Sequence, residues 1–145
     1  MKILTLACLG LLAVGASAQC ANLTVTGTGA PGTALQFDLD GTTAHAFAVL
    51  LVGDTTGTTT VNLGPIGSLT LGLDMPFVPV PFGLTDANGD RSRTFNVPST
   101  ATMGFDLYGQ AVTVGVSITM PPGGGMPSLT WTTCASNVAS FHLGV

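Results

Sequence analysis

The side chains able to do acid–base, nucleophilic or metal chemistry are few in this sequence of 145 residues. They are two histidines, seven acids that are all aspartate, and three cysteines. Nucleophilic hydrolysis needs a base beside the nucleophile and a third group to orient that base. His45 and His142 are the only ordinary bases, and no Gly-x-Ser-x-Gly turn presents a serine to either of them. His45 sits in the apolar run 44–52, which reads as a strand in the middle of a sheet. His142 falls on the polar side of the last strand, where solvent is the expected neighbour. A pair of carboxylates for glycoside chemistry would need two of Asp38, Asp40, Asp54, Asp74, Asp86, Asp90 and Asp106 in opposite environments. Most of these adjoin Gly or Thr in turn-like sequence, so the chain is read as non-enzymatic, with no catalytic residues.

Zinc requires clustered Cys and His, and here they are scattered. Calcium requires oxygens, and Asp86-Ala87-Asn88-Gly89-Asp90 opens like a calcium loop, with Asp86, Asn88 and Asp90 at the first three ligand positions. The match stops there. Arg91 stands where the loop needs glycine, and Val97 replaces the closing acid. Asn-Gly is also the strongest two-residue hairpin signal, so a hairpin turn is the preferred reading and no metal is assigned. No glycine-rich nucleotide turn lies between a strand and a helix, and no cofactor is implied.

The elements that must position these groups are strands. No window of eleven or more residues keeps a helical apolar period free of Gly, Pro or runs of Thr. Leu35, Phe37 and Leu39 alternate with polar residues, as do Phe95 and Val97, then Val112, Val114, Val116 and Ile118, then Phe141, Leu143 and Val145. Each set predicts a half-buried antiparallel strand with its apolar side chains inward. Residues 23–26, 58–63, 68–73 and 129–132 complete eight or nine strands. Turns are expected at 30–32, 53–54, 64–65, 88–89 and in the Pro-Pro-Gly-Gly-Gly stretch 121–125. Three prolines in 75–82 place that segment on a sheet edge or as a flap over the end of the fold. The expected fold is all-β, a single antiparallel β-sandwich over residues 19–145.

Residues 1–18 read as a secretory signal peptide: Lys2, an apolar run from Ile3 to Val14, and Ala16-Ser17-Ala18 as the cleavage site. The run is shorter than a membrane span. Gln19 before Cys20 argues against lipidation, which favours a small residue there. Cleavage leaves two arginines, Arg91 and Arg93, against seven aspartates, a formal charge of −5. Such a chain has no basic surface for nucleic acid or anionic membrane. Cys20 and Cys134 remain, an even number in an oxidising compartment, and are expected to form a disulfide. Closing so long a loop stabilises by roughly 4–5 kcal/mol at most in the chain-entropy model.

Three stretches carry a resemblance: Thr85-Asp86-Ala87-Asn88-Gly89-Asp90, a strand ending Asn96-Val97-Pro98, and Gly104-Phe105-Asp106-Leu107-Tyr108-Gly109-Gln110-Ala111-Val112. With Ser136-Asn137-Val138 to Gly144, they resemble an uncharacterised β-sandwich module of secreted proteins from planctomycete-type bacteria, often found at their C-termini. The resemblance covers 85–145 well and 22–84 by general pattern only. It implies a sandwich fold and an exported location, and lends no catalytic residue and no ligand. Trp131 and Cys134 depart from the usual form. The expected role is structural or adhesive, in the cell envelope or extracellular matrix, with envelope or extracellular proteins or further copies of the chain as partners. The alternative is a small secreted carbohydrate- or peptide-binding module.

Overall fold

Alternating side chains and closely spaced turns produce nine strands in the structure, a computed structural model that describes residues 19–145. They are β1 (Asn22–Thr26), β2 (Ala34–Asp40), β3 (Phe47–Gly53), β4 (Thr56–Asn62), β5 (Ser68–Leu73), β6 (Phe77–Leu84), β7 (Arg91–Asn96), β8 (Phe105–Thr119) and β9 (Ser128–Leu143). A single 3₁₀ turn, Gly64–Ile66, is the one helical element among the described residues. The expected signal peptide lies on residues 1–18, outside the described residues.

Every strand ladder is antiparallel. A three-stranded sheet has the order β1-β2-β7, a four-stranded sheet the order β6-β3-β8-β9, and β4-β5 form a separate hairpin. The chain is therefore an all-β sandwich, as its alternation predicts, with a two-stranded third layer. Leu23, Leu35, Phe37 and Leu39 of the first sheet meet Ala48, Leu50, Phe82 and Ala111 of the second. Phe37 stands edge-on to Phe95 and Phe141, with ring centroids 5.4 and 5.1 Å away, the arrangement aromatic quadrupoles favour. On the other side of the four-stranded sheet, Leu69, Leu71 and Leu73 of the hairpin pack on Leu51 and Ala135, flanked by Val49, Val112 and Val138. Alternate residues of β3 thus serve different cores, Ala48 and Leu50 one, Val49 and Leu51 the other. That is why this strand is apolar on both faces.

The double cover also reverses one expectation. Val112, Val114, Val116 and Ile118 do not face the sandwich core. The residues of β8 that do are Gly109, Ala111 and Thr113, paired with Val52, Leu50 and Ala48. Large neighbours leave room only for small side chains here: a Cβ added to Gly109 would come within 3.3 Å of the Phe141 ring and 3.4 Å of Leu50 on the flanking strands, and 3.8 Å of Leu23 from the opposite sheet. Val112 faces the hairpin layer instead, while Val116 and Ile118 are exposed.

Other expectations are met in part. The strands read at 129–132 and 141–145 are one continuous strand, β9, which ends at Leu143 and leaves Val145 exposed. The proline-rich segment is the edge strand β6, with Pro79 and Pro81 opposite Leu51 and Val49, and not a flap. One extra residue there, Phe82, bulges out of the ladder and is fully buried in the sandwich core. His45 lies outside β3, exposed in a turn with φ +55°. Asn88-Gly89 forms a turn, but it carries the chain between sheets, from β6 to β7, and so does not close a hairpin.

Cys20 and Cys134 are joined by a disulfide with Cα atoms 5.6 Å apart. It fastens the segment before β1 to β9, and hence one sheet to the other. Replacing both cysteines by serine should lower the unfolding free energy by about 2–5 kcal/mol, read from urea unfolding curves with midpoint and m-value both fitted, m rising as the unfolded chain loses its cross-link. A midpoint equal to wild type would mean that the bridge is absent from the protein.

Candidate functional site

The Thr85–Asp90 turn is held to the 42–46 segment by its own polar groups. Thr85 is buried; its hydroxyl donates to the Thr43 carbonyl at 2.8 Å and accepts from the Ala46 N–H at 2.9 Å. Asp86 Oδ1 accepts the N–H groups of Asn88 and Asp90 at 2.8 and 3.0 Å. Asp90 Oδ1 accepts the Gly41 N–H. Gly89 has φ +86°, and a Cβ there would lie 1.9 Å from the Thr42 carbonyl oxygen, so no other residue fits. The three positions of the rejected calcium-loop match therefore lie in one turn, but Asp86 Oδ1 and Asp90 Oδ1 are each engaged by backbone donors, and Asn88 enters through its main chain. Asp38, Asp40, Arg91 and Ser92 line the same acidic depression. Among the described residues, no group of three or more His, Cys, Asp or Glu side chains is placed to hold a metal ion.

The hydrogen bonds from the Asp90 and Asn88 N–H groups hold the Asp86 carboxyl below its ordinary pKa of 3.8; desolvation opposes them, and the Gly89 N–H and then His45 add lesser lowering effects.

His142 and Asp106 face each other across β8 and β9, with Nδ1 2.7 Å from the carboxylate. Both are largely exposed. A Cβ added at Gly104 would sit 3.0 Å from the other ring nitrogen, Nε2, so only glycine leaves that nitrogen its room. A base and a carboxylate able to orient it are thus paired at the surface. His45 is far along the sequence in the 43–46 turn, where its N–H donates to the Asp86 carbonyl.

The polar groups most fully engaged were not candidates for chemistry in the sequence. Gln110 is buried; its Nε2 donates to the Ser136 carbonyl and its Oε1 accepts the Gly72 N–H, both at 2.8 Å. Ser136 Oγ accepts the Ala111 N–H and donates to the Asn137 carbonyl. Asn137 reads the backbone of Leu23 twice, accepting its N–H at 2.6 Å and donating to its carbonyl at 3.0 Å. Ser136 and Asn137 together oppose the single residue Ala111, a bulge with one extra residue in β9. Gln110, like Tyr108, reads in the sequence as a packing and sheet-bonding residue; its partners, and those of Ser136 and Asn137, left no local pattern because they are backbone groups of distant strands. Tyr108 is half-buried against the hairpin layer.

Two adjoining apolar cavities, of about 460 and 260 Å³, open between the sheets and share Leu35, Phe95 and Leu143. Asn96 and Thr102 are the polar side chains of the larger wall, and the smaller is lined by apolar residues only. Such a cleft can accept an apolar group but has little with which to orient one. No family model, curated protein or solved structure matches this chain.

Two measurements follow from this geometry. Because the folded pKa of Asp86 is depressed, its contribution to stability is full above the ordinary carboxylate value of 3.8 and is lost as pH falls through the lower folded value. Asp86→Asn should therefore lose less stability than wild type between pH 4.5 and pH 2 in thermal melts, and parallel curves would remove the carboxylate from this role. Millimolar calcium should leave the melting curve in place; a rise abolished by Asp86→Ala would instead identify a cation site.

Proposed function

We propose that this chain is an exported structural or adhesive protein of the cell envelope or extracellular matrix, acting through its surfaces and not by catalysis. One observation carries the reading. The polar residues of its sequence motifs are spent on backbone, Thr85, Gln110, Ser136 and Asn137 on other segments and Asp86 on its own turn, so they build the fold. Among the described residues, no buried side-chain nitrogen or oxygen lacks a hydrogen-bond partner. Sites that bind or transform ligands keep such groups in reserve.

The disulfide suits an oxidising compartment. The sequence resemblance to modules of exported planctomycete-type proteins points the same way. Among the described residues no helix is long and apolar enough to cross a membrane. The alternative, a carbohydrate- or peptide-binding module, would draw an aromatic platform from Trp131 and a phenylalanine of segment 75–82. Phe82 is fully buried and Phe77 packs into the hairpin core, so that platform is not assembled.

Fractionation of cells making the protein, with sizing and intact-mass analysis of the fraction that holds it, tests the proposal. The expected result is a high-mass envelope or matrix assembly containing a chain of residues 19–145, less two hydrogens for the bridge. A free monomer in the medium overturns the structural role, and acyl mass on Cys20 overturns the cleavage site.

A further inference from the structure

The last two strands outrun the body of the protein. β3 pairs with β8 only as far as Val114, whereas β8 and β9 stay paired to Thr119 and Ser128. From Gly115 onward they form a two-stranded arm about 17 Å long, at roughly 3.4 Å per residue. One face carries Gly115, Ser117 and Thr119 against Thr132, Thr130 and Ser128. The other carries Val116 opposite Trp131 and Ile118 opposite Leu129. These four are 48%, 44%, 63% and 56% exposed. Phe47, paired with Val114, extends the face at the root, and Met120 and Met126 are exposed in the connection at the tip.

This apolar face continues the hairpin-layer core, beginning where the cover of β4-β5 ends after Val112. Folding of one chain gives it nothing to rest on. Isolated two-stranded ribbons are marginal in water, and a ribbon with one uncovered apolar face calls for a second layer. We propose that the second layer is another copy of this chain, the two arms stacking face to face about a twofold axis.

Area and charge favour that occupant. At roughly 150–250 Å² for a fully exposed large side chain, the four strand residues and Phe47 present on the order of 500 Å². This lies at the upper end of the roughly 300–600 Å² of the largest patch on a typical monomer, and two such faces together reach about 1,000 Å², the lower bound of a specific interface. Residues 107–141 hold no charged side chain, so two arms meet without burying a charge. The acids lie on other elements or, for Asp106, at the root of β8. A charged partner would find no countercharge on the arm, whereas a second copy offers the same neutral surface. Two such ribbons stack about 10 Å apart, with Trp131 and Ile118 as anchors. The contact is isologous and closes at two copies.

The inference stands on the arm and does not depend on the envelope role. Sedimentation velocity of the exported protein, from nanomolar to tens of micromolar, should show a monomer–dimer equilibrium. Trp131 emission should shift to the blue as the dimer fills. Ile118→Lys should weaken association about 30-fold or more, while Thr130→Lys, on the opposite face, should leave it unchanged; circular dichroism and the intact disulfide mass check that both fold. A monomer throughout the range with constant Trp131 emission overturns the proposal, as does equal weakening by the two variants. The wild-type readouts decide even where Ile118→Lys does not fold. A dimer recovered from the medium supports arm pairing and overturns the envelope location. An Ile118→Lys chain that still enters a high-mass envelope assembly, with wild type monomeric when purified, overturns arm pairing alone.

Discussion

The bulge at Ser136 and Asn137 joins all three layers of the molecule. An extra residue in β9 breaks the ladder opposite Ala111, and the groups it frees are taken by neighbours on both sides. Asn137 turns toward β1 and pairs with the Leu23 backbone, Gln110 reaches across to Gly72 of β5, and Ser136 closes the gap to Ala111. Beside them, Ala21 forms a parallel bridge with Ser136, Cys20 donates its N–H to Ala135, and Cys20 is bonded to Cys134. Each buried backbone group left without its partner would cost about 1–3 kcal/mol. The bracket therefore sets where the first sheet and the hairpin sit on the central sheet.

With that sheet covered on both sides, its residues divide by size. Toward the first sheet, which supplies Phe37, Leu35 and Leu39, β8 offers Gly109, Ala111 and Thr113. Toward the thinner hairpin layer it offers Tyr108 and Val112. Around Gly109 the neighbouring Phe141 and Leu50 leave no room for a larger side chain. The edges are closed by other means. Arg93 of β7 donates to the Pro81 carbonyl of β6 and lies over Phe95, its carbon 5.1 Å from the ring centroid. The prolines of β6 remove donors from an exposed edge that would otherwise invite another strand. The β8-β9 arm has neither protection on its apolar face, and this is what separates it from the rest of the surface.

Much of the fold was legible. The alternation of Leu35, Phe37 and Leu39 gave β2 and its buried face, and 68–73 gave β5. The prolines marked an edge, and the cysteine pair marked a bridge. The candidate site was less legible. Asp86, Asn88 and Asp90 could be read as a turn, but not that the turn binds residues 41–46, because a hydrogen bond to a distant carbonyl leaves no local pattern. His142 was readable as exposed, while its register opposite Asp106 was not.

What the sequence determined by itself was the material: strands of period two, a chain nearly without charge, thiols in a pair, and apolar stripes that had to be covered. Period and turn chemistry are local properties, and they are written residue by residue. Only the tertiary structure decided which side of each strand faces which layer. Val112 and Val116 belong to one stripe with one spacing, yet the first is packed under the hairpin and the second stands in water. The difference is set by where β4-β5 ends in space, and burial depends on what lies opposite a side chain, which no stretch of sequence around it contains.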